Sequence, residues 1–338
     1  MLTSSLFFFI LTLHLSTTLC APAKRQAQAT PVISQDFADP SILNTQRKWY
    51  AYATTNGRYN VQVANSTDFS SWTVIKKDAM PNLPAWANPA SPQVWAPDVS
   101  QRDDGSFLLY FSAALAKFPG QHCVGAATSS TPEGPFISMT RPLVCPDPDG
   151  TGKGMDAMIA SPGAGGAIDA SGFKDADGKR YLLYKVDGNS IGSGGICKNG
   201  IAPQRSTPIM LVEVEADGVT AMGKPVQLID RDNRDGPLVE APSLMRTQDG
   251  TYILFYSSNC FTSTLYDVTW ASASRITGPY VKFGPMFVTG NFNLEAPGGA
   301  SIAADGLHLA FHGNYKGGRA MYTTTVSGSG PNLRASLR

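Results

Sequence analysis

The sequence predicts an all-β chain folded as one five-bladed β-propeller, and three observations carry that expectation. No long segment repeats apolar residues at i, i+3, i+4 and i+7, so amphipathic helices have nowhere to form. Five short aromatic strands recur instead, four of them directly after an Asp-Gly pair. The glycines of those pairs, Gly105, Gly178, Gly250 and Gly306, lie 73, 72 and 56 residues apart. Each interval holds four strands with their loops, the content of one propeller blade.

In chain order the aromatic strands are Lys48-Trp49-Tyr50-Ala51-Tyr52, Ser106-Phe107-Leu108-Leu109-Tyr110-Phe111 and Arg180-Tyr181-Leu182-Leu183-Tyr184. Thr251-Tyr252-Ile253-Leu254-Phe255-Tyr256 and Leu307-His308-Leu309-Ala310-Phe311-His312 complete the set. Asp-Gly predicts a two-residue type I′ hairpin, because both residues tolerate positive φ. Five such units fill residues 31–328, with 21–30 a short linker and 329–338 a tail. No room remains for a second domain, and a β-sandwich does not explain the repeat.

Composition limits the function. Of 338 residues 42% are hydrophobic, enough for a packed core, and only 16% are charged, against roughly 25% in an average soluble domain. With 27 Lys+Arg against 26 Asp+Glu the net charge is +1, which lacks the footprint of a nucleic-acid binder or a polybasic membrane protein. Neither a nucleic acid nor a membrane is expected as a partner, and the chain is expected to be a monomer.

Met1 to Cys20 carries an apolar run, Leu6 to Leu15, too short to span a bilayer, with small residues downstream. Residues 1–20 are therefore read as a signal peptide, with Lys24-Arg25 a candidate second processing site, and the protein as secreted. Cleavage near Cys20 leaves Cys123, Cys145, Cys197 and Cys260, an even number that favours two disulfides. Three pairings exist; Cys123–Cys145 with Cys197–Cys260 is favoured, because the first closes a short local segment. No CxxC pair and only four histidines argue against zinc or thiol-redox chemistry. Asn65-Ser66-Thr67 is an N-glycosylation acceptor where exposed.

Before each aromatic strand lies an acid in an apolar, Pro- or Gly-rich setting. The segments centre on Asp39 (with Asp36), Asp98, Asp169, Glu240 and Glu295. If these segments are the innermost strands of the blades, five acids converge at one end of the axis. Carboxylates in a charge-poor chain rarely sit on apolar strands unless paired or functional; the structural alternative is that each caps its own blade. Convergent carboxylates suit glycosidic bond cleavage, in which one acid protonates the leaving oxygen and a second activates water or attacks the sugar. A third carboxylate raises the acid's proton affinity by like-charge repulsion. Phe37, Trp86, Trp95, Phe261 and Trp270 are candidate sugar platforms, each also readable as a core ring.

Asp39-Pro40, Trp95-Ala96-Pro97-Asp98, Ile168-Asp169 and Glu240-Ala241-Pro242, in that order, resemble glycoside hydrolase family 43 from about Asp36 to Tyr322. The resemblance implies a five-bladed propeller that hydrolyses arabinose- or xylose-containing polysaccharides with inversion. It implies Asp39 as general base, Glu240 as general acid and Asp169 as the residue that tunes the acid and orients substrate. Phe37, Trp95, Asp98, His312 and Arg319 are the expected substrate contacts, Arg319 resembling the family's late arginine that reaches toward Asp169 or the substrate. An inverting pair lies roughly 6.5–9.5 Å apart to admit water. No cofactor is required by this reading. Many members hold a central calcium or other ion with help from a Gly-Pro-Gly-His histidine, but here Gly299 stands at that place, with His312 the partial substitute. That departure argues against a tightly held ion.

Gly188-Asn189-Ser190-Ile191-Gly192 matches the GxSxG pattern, but the following Ser193-Gly194-Gly195 cannot start the helix that a nucleophile elbow needs. The expected activity is cleavage of α-L-arabinofuranosyl linkages, with a β-xylosidase of the same mechanism as the alternative. A non-catalytic carbohydrate-binding propeller is the reading from a different class; it need not retain all three acids. Retained Asp39 speaks against the galactan-cleaving members.

Overall fold

A computed structural model describes residues 28–146 and 156–337. The expected signal peptide and the Lys24-Arg25 site lie outside the described residues.

Five sheets follow one another along the chain, antiparallel throughout except for one parallel pair at the outer edge of the second. Blade one is β1 (Ser41–Thr45), β2 (Lys48–Ala53), β3 (Gln62–Ser66) and β4 (Thr73–Ile75). Blade two is β5 (Trp95–Gln101), β6 (Phe107–Ala114), β7 (His122–Ser129) and β8 (Ile137–Ser138), extended by β9 (Val144–Pro146) and β10 (Ile159–Ser161). Blade three is β11 (Ala167–Lys174), β12 (Arg180–Val186), β13 (Ile209–Val214) and β14 (Val226–Ile229). Blade four is β15 (Val239–Arg246), β16 (Tyr252–Ser258), β17 (Thr269–Ala273) and β18 (Val281–Lys282). Blade five is β19 (Gly298–Ile302), β20 (His308–Tyr315), β21 (Gly318–Ser327) and β22 (Arg334–Ser336). The first strands pack side by side around the axis, β1 closing the ring against β19.

The aromatic motifs are the second strands, and both of their faces are buried. In β6, Phe107, Leu109 and Phe111 pack toward blade one, while Leu108 and Tyr110 pack toward blade three. The same alternation in β12 and β16 builds the next two seams. Period-2 alternation between two apolar seams is why these strands read as near-continuous hydrophobic runs.

Three details differ from the sequence-based expectations. In the Asp-Gly turns only the glycine has positive φ (84° at Gly105, 88° at Gly178, 87° at Gly250), while the aspartate side chain accepts nearby backbone N–H groups, as Asp104 does from Ser106. These are turns closed by a left-handed glycine rather than type I′ pairs. The 329–338 segment is not a free tail: β22 pairs with β21 and supplies the fourth strand of blade five. The N-terminal residues Val32 and Ile33 bond to Met321 on the same strand, tying the chain's start to its last blade. Both disulfides form as favoured, Cys123–Cys145 and Cys197–Cys260. Among the described residues no helix is long and apolar enough to cross a membrane.

Candidate active site

Every first strand begins with the same irregularity. One residue adopts left-handed φ: Asp39 (52°), Ala96 (41°), Asp169 (55°), Ala241 (54°) and Gly299 (59°). In blades two to five it lies within a register shift between the first and second strands. Such bulges re-aim side chains and recur beside functional sites. Here they turn Asp39, Asp169 and Glu240 into one cavity of about 500 Å³ at one mouth of the axis. Trp95, His122, Lys185, Asp187, Phe261, Tyr266 and Arg319 share its walls.

Each carboxyl has a distinct environment. Asp39 accepts hydrogen bonds from Thr54 Oγ1 (2.5 Å) and from Arg319 Nη1 (3.1 Å). Burial pushes its proton affinity up, but the Arg319 guanidinium and the Thr54 hydroxyl outweigh this and hold it below the usual carboxylate range. Asp39 is thus an ionised carboxylate. Asp169 is the opposite: burial, then the charge of Glu240, push it up to about 8, against the Lys185 ammonium. Its Oδ2 accepts the Ala241 N–H at 2.9 Å. Glu240 has both oxygens engaged, Oε2 by Lys185 Nζ (3.0 Å) and Oε1 by the Tyr266 hydroxyl (2.8 Å). Asp169 therefore holds its proton near neutral pH, with the charge of the adjacent Glu240 helping to keep it there. An ionised Asp39 and a proton held at Asp169 beside Glu240, in a single cavity, can remove a proton from one side of a bound molecule and deliver one at another.

Of the expected contacts, Trp95 and Arg319 line the cavity, and Phe261 does too, with the Arg319 guanidinium 5.3 Å from its ring centroid. Arg319 reaches Asp39 rather than Asp169. Trp95 stacks on His122 at 3.8 Å between centroids.

Other expectations are corrected. Phe37 is fully buried between blades five and one, against Ile33, Ile42 and Met321; the left-handed Asp39 breaks the two-residue alternation that would have put the two side chains on one face. Trp86 stacks on Phe111 and Trp270 packs in the seam of blades four and five; both are core rings. Asp98 lies two residues past its blade's left-handed Ala96, accepts the Gly172 N–H at 2.9 Å, and lines the opposite mouth. Glu295 precedes its strand and is exposed outside the cavity, so three acids converge, not five. His312 is buried behind the cavity wall: its Nδ1 accepts the Asp39 N–H (3.1 Å), and burial lowers it to about 3, so it is neutral with its hydrogen on Nε2.

That tautomer bears on a central ion. His312 Nε2 has no protein partner and presents a hydrogen, not a lone pair. A Cβ on Gly299 would lie 2.7 Å from His312 Nδ1 and 3.3 Å from Asp39 Oδ1, so no side chain fits beside it. Among the described residues no three His, Cys, Asp or Glu side chains gather as a ligand set. The residues do not fit an ion held directly by protein groups, and no step below is routed through one.

Among the cavity residues that sequence reasoning missed are His122, Lys185, Asp187 and Tyr266. Lys185 alone left a signal, a lone charge ending the apolar run Tyr181-Leu182-Leu183-Tyr184. The GxSxG segment is a short 3₁₀ turn in which Ser190 donates to the Asp187 carbonyl (2.7 Å); it lines the cavity as a wall, not as a nucleophile elbow.

An Aspergillus niger protein named beta-D-galactofuranosidase is 24% identical over 89% of this chain and 81% of its own length. A Bacillus subtilis beta-xylosidase is 26% identical over 74% of this chain, which spans only 41% of that protein. The crystal structure of a thermostable family-43 glycoside hydrolase superposes with a TM-score of 0.72 at 23% identity, covering 92% of this chain and 96% of the other. The sequence profile of glycosyl hydrolases family 43 matches residues 28–325, and the chain belongs to that family of glycoside hydrolases.

Proposed function

We propose that the protein is a secreted, inverting glycosidase that cleaves α-L-arabinofuranosyl linkages in arabinan or arabinoxylan. The observation that carries the mechanism is the contrast between an ionised Asp39 and a proton-holding Asp169 that lies beside Glu240 in one cavity. Asp39 takes a proton from water, which attacks the anomeric carbon from the face opposite the leaving oxygen. Glu240 delivers a proton to that oxygen as the bond breaks, and water's addition on the far face inverts the centre. Asp169 keeps the acid's proton in place by like-charge repulsion and fixes the backbone at Ala241. Trp95 and Phe261 offer apolar faces to a sugar ring, and Arg319 both holds Asp39 and borders the sugar.

The sign of the pH dependence follows. The base must be ionised, so rate falls as pH drops through the lowered Asp39 range; on the alkaline side rate falls as pH rises through the raised Asp169 range, near 8, where the proton held beside Glu240 is lost. A furanoside is favoured because the Aspergillus niger relative, matched over 89% of this chain, is named for a furanoside. The Bacillus subtilis relative's name supports the second reading, a β-xyloside. Two disulfides and the apolar Leu6 to Leu15 run support secretion.

Aryl α-L-arabinofuranoside, β-D-xyloside and β-D-galactofuranoside, with linear arabinan and arabinoxylan, form the deciding panel. Arabinofuranosides turned over fastest is the expected result; preference for xyloside replaces the substrate assignment. Glu240→Gln keeps the shape and removes the proton. It is expected to cost about 10²–10⁴-fold in rate with folding retained. Unchanged hydrolysis would sink the mechanism and favour a binding propeller.

A further inference from the structure

Each blade presents one second-strand side chain at the same height, beside the start of its first strand. These are Thr54, Ser112, Lys185, Ser257 and His312; the last four pair in register with Trp95, Ile168, Glu240 and Gly298, and the Thr54 N–H donates to the Ala38 carbonyl. Four of the five accept the N–H of the next blade's left-handed residue. Ala96 donates to Thr54 Oγ1 (3.0 Å), Asp169 to Ser112 Oγ (3.1 Å), Gly299 to Ser257 Oγ (2.9 Å) and Asp39 to His312 Nδ1 (3.1 Å).

Blade three breaks the pattern. An ammonium has three donors and no acceptor, so Lys185 cannot cap the Ala241 N–H, and Asp169 does it instead. A serine there would have met the backbone's requirement without burying a charge. Lys185 is fully buried, and its ammonium lies 3.0 Å from Glu240 Oε2 and 3.2 Å from Asp187 Oδ1. Burying an ammonium is costly unless it is paired. The exception therefore has a use tied to Glu240.

We propose that Lys185 and Asp187 are a buried positioning pair that fixes the Glu240 carboxyl and tunes its affinity for the proton it delivers. This rests on Glu240 being the general acid. Lys185 alone would hold Glu240 as a carboxylate, because protonating Glu240 would strand an unpaired cation in the protein interior. Asp187 removes that obstacle by giving the ammonium a second anion to keep. The two act with opposite sign: Lys185 disfavours the protonated acid and Asp187 favours it. The remaining groups facing the carboxyl are Asp169 across the pair, the Tyr266 hydroxyl on Oε1, and the Asp39–Arg319 ion pair. His122, near Asp187, is pushed down to about 4 by burial and stays neutral.

Opposite signs make the test selective. The full-length protein, Lys185→Met and Asp187→Asn are compared in kcat/KM against pH on an aryl glycoside that the parent cleaves, with melting temperatures alongside. Lys185→Met is expected to move the alkaline limb up by about one pH unit, and Asp187→Asn to move it down by a similar amount. A merely structural role lowers rate and melting temperature at every pH and moves neither limb. Shifts that are absent, or that share one direction, overturn the pair. If Lys185→Met does not fold, the near-isosteric Asp187→Asn decides alone, and no downward shift in it overturns the proposal. Glu240→Gln separates the two ideas: hydrolysis that survives in Glu240→Gln removes the acid assignment itself.

Discussion

The two mouths of the propeller axis make an instructive contrast. The larger cavity, about 770 Å³, is at the end where hairpin turns such as Gln101, Lys174 and Gln248 gather; the mouth with the acids encloses about 500 Å³. Yet the larger one presents a single buried first-strand acid, Asp98, which burial pushes up to about 6 and which accepts the Gly172 N–H. The smaller one brings Asp39, Asp169, Asp187 and Glu240 together with Lys185 and Arg319. Volume is common to any channel end; convergent groups with opposed proton affinities are what chemistry requires. Two residues along a strand decide the matter: Asp39 and Asp169 occupy the left-handed position, whereas Asp98 comes two residues after Ala96.

Substitutions at the two mouths should therefore differ sharply. Asp39→Asn removes the base and is expected to lower kcat by about 10²–10⁴-fold, read by steady-state hydrolysis with folding checked by circular dichroism. An intermediate effect is expected at Trp95, the half-buried ring on the cavity wall. Trp95→Ala should raise KM by about tenfold, on the order of the 1.4 kcal/mol that an aromatic contact contributes, with a smaller change in kcat. The smallest catalytic effect belongs to Asp98→Asn, with kcat/KM expected within a factor of about two, because its carboxyl faces the other mouth.

Asp98→Asn also carries a stability sign. A buried carboxyl whose folded proton affinity is raised gives stability that is present below its unfolded range and lost as pH rises through about 6. The neutral amide escapes that loss, so Asp98→Asn is expected to melt about 2–4 °C above the parent at pH 7 and level with it at pH 4. A calorimetric scan at the two pH values reads this directly.

The blade plan was legible because hairpin glycines and aromatic strands repeat, and because a strand buried on both faces leaves a continuous apolar run. Asp39, Asp169 and Glu240 were legible as acids on apolar segments. What could not be read was which way each side chain points after a bulge. A bulge shifts the two-residue alternation, so Phe37, Asp98 and Glu295 looked equivalent to their neighbours until the left-handed residue of each blade was located. Tyr266 and His122 come from loop and third-strand positions with no motif, and reach the cavity only through tertiary packing. Lys185, a lone charge closing the apolar run Tyr181 to Tyr184, reads as readily as an ordinary strand end.

Product stereochemistry tests the central claim, that Asp39 and the Asp169–Glu240 pair act from opposite sides of the bond. Proton NMR of the first minutes of hydrolysis, followed before mutarotation mixes the anomers, resolves the anomer released. The account predicts the anomer opposite to the substrate's, the β form from an α-L-arabinofuranoside. Initial release of the substrate's own anomer would require a covalent intermediate and would contradict it.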